Sequence, residues 1–158
     1  VATPSRNLIL EDIASTLAYI TVAHGYATTV TTVERTVKGW DRIGIQAMPW
    51  LGLQIENETF EHHACSEEIR SVLSVAIVGH INAATQALRA DAIAALQDDI
   101  IAAMNVDQTR GGNATTTLLT SAESDESDPD AIDSKGGQGT LIVRFDIVYY
   151  RTTTITYS

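Results

Sequence analysis

The stretch from Thr140 to Tyr157 (TLIVRFDIVYYRTTTITY) alternates almost without fault. Leu141, Val143, Phe145, Ile147 and Tyr149 fall on one face, and Arg144, Asp146 and Tyr150 on the other. That is the period-two mark of a half-buried strand. Its length constrains the fold more than its pattern does. Eighteen extended residues at roughly 3.3 Å each span about 59 Å. A compact domain of 158 residues has a diameter of roughly 40 Å. Such a strand either bends or leaves the domain. After Arg151 come Thr152, Thr153 and Thr154, which are strongly β-forming with little to bury. An end of this kind is a natural place for another chain to pair. The expected division is that Leu141 to Tyr149 completes the sheet of the domain, while Arg151 to Tyr157 serves a neighbour.

The elements before it follow from the same periodicities. Thr3-Pro4 is a good helix start, and Leu10, Ile13, Leu17 and Ile20 recur at helical spacing, giving a helix over 4–23 with Gly25 as its terminator. The Thr- and Val-rich run 26–43 reads as a strand, with Val33, Arg35 and Val37 on one face. A second strand covers 48–59, with Leu51, Leu53 and Ile55 alternating against Trp50, Gln54 and Glu56. The polar run 58–67 connects it to a third strand at 69–81, apolar on both faces and therefore central. A helix over 84–104 carries Leu88, Ala92, Leu96, Ile100 and Met104 as its stripe, capped by Asn82 or Thr85. From 106 to 139 the pattern breaks into a mobile acidic loop that holds a short possible strand at 115–120. The order α-β-β-β-α-(β)-β predicts one α+β domain over 1–158, a mostly antiparallel sheet with two helices on one face.

Chemistry is hard to assemble from these residues. His62-His63-Ala64-Cys65 has no second cluster to complete a zinc site. The acidic run Glu123, Asp125, Glu126, Asp128, Asp130 and Asp133 lacks the residue order of a calcium loop. No phosphate loop or nucleophile elbow occurs, and Asp98 and Asp99 point about 100° apart on a helix. The reading is no catalytic residue, no cofactor and no metal. Ten basic against twenty acidic residues give a net charge of −10, which argues against direct nucleic-acid binding. No run approaches a membrane span, the first residues do not form a signal peptide, and the single Cys65 fits a reducing compartment. Trp40 and Trp50, flanking the turn between the first two strands, are either core residues or anchors at a subunit contact. Tyr149 and Tyr150 straddle both faces of the last strand, so one is buried and the other is a contact candidate.

The order of elements, with Arg70-Ser71-Val72-Leu73-Ser74-Val75-Ala76-Ile77-Val78, the helix carrying Leu96-Gln97-Asp98-Asp99-Ile100-Ile101-Ala102-Ala103-Met104, and Val143-Arg144-Phe145-Asp146-Ile147-Val148-Tyr149-Tyr150, resembles the tail terminator proteins of long-tailed bacteriophages. The resemblance covers most of the chain and is one of pattern and order. It implies a subunit of a hexameric ring in the virion, assembled in the host cytoplasm. That ring caps the tail-tube protein and offers a docking face to a neck or head completion protein. It implies no catalysis, and a lumen that DNA crosses without specific binding. Contacts would come from Trp40, Trp50, Tyr150, Arg151, Thr152, Thr153, Thr154 and Tyr157, with the six acidic residues facing the lumen or a partner. The competing readings are a head completion or neck adaptor, and, from another class, a small ligand-binding domain or enzyme.

Overall fold

Alternation decides which face of each strand is buried, and in the computed structural model the odd-numbered residues win. The structure describes residues 5–125 and 138–152, with Trp40 and Thr152 described by their backbone. The elements are α1 (Ser5–Ala18), β1 (Thr32–Glu34), β2 (Trp50–His62), β3 (Glu68–Asn82), α2 (Gln86–Val106), β4 (Thr116–Asp125) and β5 (Gln138–Thr152). The five strands form one sheet in the order β1-β2-β3-β5-β4, antiparallel except where β1 runs parallel to β2. Leu73, Val75, Ile77 and Ile81 of β3 and Leu141, Val143, Phe145, Ile147 and Tyr149 of β5 share a core with residues of both helices. The fold is α+β, with β3 in the centre as its two apolar faces predicted.

Both helices bury one stripe on this inner face. In α1 it is Ile9, Leu10, Ile13 and Leu17. The helix stops at Ala18, short of the expected 23, and a 3-10 turn over Val22–His24 follows. Gly25 closes that turn rather than the helix, at φ 92° with its N–H donating to the Val22 carbonyl. The expected start at Thr3-Pro4 lies outside the described residues. Thr85 caps α2 by accepting from the Leu88 N–H at 3.2 Å. The expected α2 stripe holds from Leu96 to Met104 and fails at Leu88, which is exposed, because Arg89 and Ile93 are the buried residues there. Four residues overshoot a full turn by about 40°, so four such steps rotate the stripe by roughly 160°. A strict i, i+4 row cannot stay on one side that long.

Three sequence expectations are corrected. The run 26–43 supplies a strand of only three residues, and the chain then winds through 3-10 turns at Trp40–Arg42 and Ile45–Ala47. Its β-branched residues read as strand by propensity, but that preference needs neighbouring strands to be realised. The segment instead lies over the even-numbered face of the sheet, where Ile43, Met48 and Trp50 form a second, small core. Next, the expected loop over 106–139 holds β4, ten residues long and paired to β5 from Thr116↔Val148 to Asp125↔Thr140. Glu123 and Asp125 therefore sit in a strand. Third, β5 pairs with β3 along its whole length, from Gln138↔Asn82 to Thr152↔Glu68. Arg151 and Thr152, expected to serve a neighbour, complete the sheet of their own chain. The length anomaly is resolved because β3 is equally long and β2 accompanies it to His62, so a three-stranded arm extends as one piece.

Gly52 positions the cover segment. A Cβ added there would meet the Trp50 ring at 2.4 Å and the Thr36 carbonyl oxygen at 2.5 Å. Gly52→Ala is expected to cost about 1–3 kcal/mol through overpacking, read as a lower midpoint in urea unfolding. An unchanged midpoint would mean the 35–49 segment does not pack as described.

Candidate assembly surfaces

A sheet with five strands has two edges, and here they are unequal. The β1 edge is three residues long and runs into turns. The β4 edge is ten residues long, with β5 on one side and no strand on the other among the described residues. Thr117 is buried, and its hydroxyl donates to the Gln108 carbonyl at 2.8 Å, which fixes the start of the strand. A register shift between Leu119 and Ser121 leaves Thr120 as the extra residue, its hydroxyl donating to the Arg144 carbonyl at 3.1 Å. Leu118 and Leu119, on opposite faces, remain 51% and 46% exposed. On the even-numbered face Arg144 binds Glu56 of β2 at 2.8 Å and Glu123 of β4. Hydrogen bonds to Glu123 and then Glu56 hold its guanidinium above the usual range. Glu123 thus ties β4 to the sheet.

At the far end of the arm, Glu58 gathers three partners. Its carboxylate meets Arg6 at 3.1 Å, Arg151 at 2.6 Å and the Tyr149 hydroxyl. Arg151 also lies 5.1 Å from the centre of the Phe60 ring, a cation–π arrangement. Burial first, and then the Glu58 hydrogen bond, push the Tyr149 phenol above its ordinary value. Tyr150 points the other way and is half exposed. The pair divides as alternation predicted, Tyr149 inward and Tyr150 outward. Trp50 is 1% exposed and belongs to the core, the first of its two alternatives. Trp40 lies in a 3-10 turn of the cover segment. Thr153, Thr154, Tyr157, Glu126, Asp128, Asp130 and Asp133 lie outside the described residues.

His80 clips the cover segment to the sheet. Its Nε2–H donates to the Lys38 carbonyl at 3.1 Å, and Nδ1 is 3.2 Å from the Thr140 hydroxyl. The Trp50 ring lies 5.4 Å away. Burial depresses the imidazole pKa, against a smaller opposing effect of the Lys38 carbonyl. A folded pKa below the unfolded value of about 6.5 means that the neutral ring favours folding above that pH. The contribution is lost as pH falls from about 6.5 toward the depressed value. Thermal melts of the protein should therefore drop between about pH 7 and 5 more steeply than those of His80→Gln. Parallel curves would contradict this role.

Among the described residues, groups suited to catalysis do not converge. A cleft of about 440 Å³ lies beside Ser5, Arg6, Asn7, Glu58 and Arg151, but its charged groups are engaged with one another. A second, about 350 Å³, runs between Tyr19, Tyr26, Ala103 and Val106 and is mainly apolar. Among the described residues, no three His, Cys, Asp or Glu side chains come close enough to hold a metal, and no helix is long and apolar enough to cross a membrane. Cys65 is exposed in the β2–β3 turn at φ 66°, where the His62 ring binds the Ser66 carbonyl at 2.7 Å.

Among the described residues, three buried charges escaped the sequence reading, the first being Arg89, whose guanidinium donates to the Ala83 carbonyl at 3.1 Å. Asp99 accepts from the backbone N–H groups of Ala27 at 3.2 Å and Thr28 at 2.8 Å, holding the segment after α1 to α2. Arg110 is fully buried at positive φ, donating to the Met104 and Asp107 carbonyls and lying 3.5 Å from Asp12. The only hint in the sequence was its place just before Gly111-Gly112.

Among solved structures, the chain is similar to one from a virion of a native gene transfer agent particle. The identity is 12%, the TM-score 0.61, and the match covers 95% of this chain and all of the other. At that identity the likeness is one of fold. No protein-family model matches the sequence, and no curated protein matches it.

Proposed function

We propose that this chain is a structural virion protein, a tail terminator that forms a hexameric ring capping the tail tube and presenting the docking face for a neck or head completion protein. The observation that carries this reading is the end-to-end likeness in fold to a chain of a gene transfer agent virion. It joins the resemblance of element order and strand pattern to the tail terminator family. The described surface supports it in kind: a long open strand edge and an arm of three strands, with no convergent catalytic set. Subunit contacts in a ring are head-to-tail, so each copy uses two different surfaces. Tyr150 and the residues from Thr152 to Tyr157 form one of them, and Trp40, in the 3-10 turn of the cover segment, belongs to the other. Trp50, being core, is not among the contacts.

Six copies at −10 each carry about −60, which suits a lumen that DNA crosses without sticking. The acidic residues from Glu126 to Asp133 then face the lumen or a partner. Catalysis, a cofactor and a membrane have no part in this reading. Its test is to add the purified protein to tail tubes lacking heads. It should bind one end of each tube and stop further growth. Binding to heads but not to tube ends would favour the head completion or neck adaptor reading, and binding to neither would overturn both.

A further inference from the structure

We infer that the open edge of β4 receives the residues after Thr152 from a second copy of this chain, which add a strand to the sheet and link the copies head-to-tail. This rests on the self-assembly reading above and names the two surfaces that meet. The first support is the edge itself. Over Thr116–Ala122 (TTLLTSA) it carries no charge, no proline and no lysine, the devices that normally keep an edge strand from pairing. Its charges begin at Glu123, where Arg144 already binds. Leu118 and Leu119 stay exposed on opposite faces because, among the described residues, no next strand covers either.

The second support is the chemistry of the incoming segment. Thr153 to Ser158 (TTITYS) has no charge, glycine or proline, and alternates Ile155 and Tyr157 against Thr154 and Thr156. These are strong strand formers, and the Ile155/Tyr157 face matches an exposed leucine on either side of β4. Extended, six residues reach about 20 Å, enough to pair along the uncharged part of β4.

Geometry requires that the segment come from another copy. Leu118 lies opposite Asp146, and Thr152 is six residues farther along β5, about 20 Å away. Thr154 can reach at most about 7 Å from Thr152. Within one chain, Thr154 and Leu118 therefore stay roughly 13 Å or more apart, well beyond the 4–7 Å that a disulfide spans. Ser121, opposite Arg144, is farther still. Thr116, opposite Val148, lies about 13 Å back along the strand from Thr152. A segment of six residues that covered this gap within its own chain would have too few left to pair along Thr116–Ala122. The edge therefore takes the segment of another copy, in a heterologous contact that repeats from copy to copy and closes into a ring.

The test uses the full chain with Cys65→Ser to remove the native thiol. Thr154→Cys is combined with Leu118→Cys or with Ser121→Cys, to allow for a shift of register. Under mild oxidation, at least one pair should give a ladder of covalent multimers that ends at the ring, while each single-cysteine variant stops at dimers. Amide exchange over 116–122 should also slow at least tenfold in rings relative to dilute protein, and this slowing should vanish when 153–158 are deleted. Rings that form without the ladder and without that protection would overturn the inference and leave the proposed function standing. A chain that forms no ring under any condition, on tail tubes included, would overturn both.

Discussion

Arg110→Met is expected to lower stability by about 3 kcal/mol, which for a chain of this size is a melting temperature roughly 6–12 °C lower. Arg110 is fully buried and binds the carbonyls of Met104 and Asp107, which the end of α2 leaves without helical partners. Removing the guanidinium strands those oxygens and Asp12 together. The figure sits at the low end of the range for a broken buried pair because Asp12 is partly exposed. The pH dependence identifies the cause. Burial raises the Asp12 pKa, and Arg110 is the main influence lowering it. A carboxyl raised in the fold contributes stability below its unfolded pKa and loses it as pH rises through the folded one. Without Arg110 that loss grows, so the deficit of the variant should be larger at pH 7 than at about pH 4. Arg110→Lys, which keeps a charge but not the planar fork, should recover only part. A deficit independent of pH would assign the effect to lost packing alone.

Deleting residues 153–158 should leave the monomer folded and weaken ring formation by at least about 100-fold, or close to 3 kcal/mol per contact. Pairing between β3 and β5 ends at Thr152, so the deletion removes no described strand contact within the chain. A longer deletion that begins at Arg151 is different. It takes away the β3 pairing of Arg151 and Thr152, and one of the partners of Glu58, so a measurable loss of monomer stability is expected as well. Unfolding transitions in urea, compared with sedimentation of the same samples, separate the two effects. If the shorter deletion unfolds the protein, the Thr-rich end belongs to the core. If it leaves assembly untouched, the contact lies elsewhere.

Much of the fold was legible because burial is written in periodicity. The odd-numbered residues of β3 and β5, the central place of β3 and the Thr85 cap of α2 all follow from spacing and residue type. The failures share a cause in tertiary context. Residues 26–43 are rich in Thr and Val, yet only Thr32–Glu34 finds a strand to pair with. The rest is drawn over Trp50 by His80 and by the missing Cβ of Gly52. Glu123 and Asp125 read as solvated loop because their charges say so, but pairing with β5, and for Glu123 the cross-strand Arg144, makes a strand of them. Arg151 read as serving a neighbour because it opens the Thr-rich end of the strand. Glu58, two strands away and brought near by a register no local pattern reveals, holds it. Of the candidate contacts, the outward turn of Tyr150 was readable from alternation. The open edge of β4 was not, because an edge is a property of strand order.

The most direct test of the central claim is the mass and symmetry of the purified protein in solution, by native mass spectrometry with averaged electron micrographs, at rising concentration. The account predicts a closed six-fold ring, six copies at 17.0 kDa each and so about 102 kDa, that disappears when 153–158 are removed. A chain that stays at 17.0 kDa at every concentration, and on tail tubes as well, would contradict it.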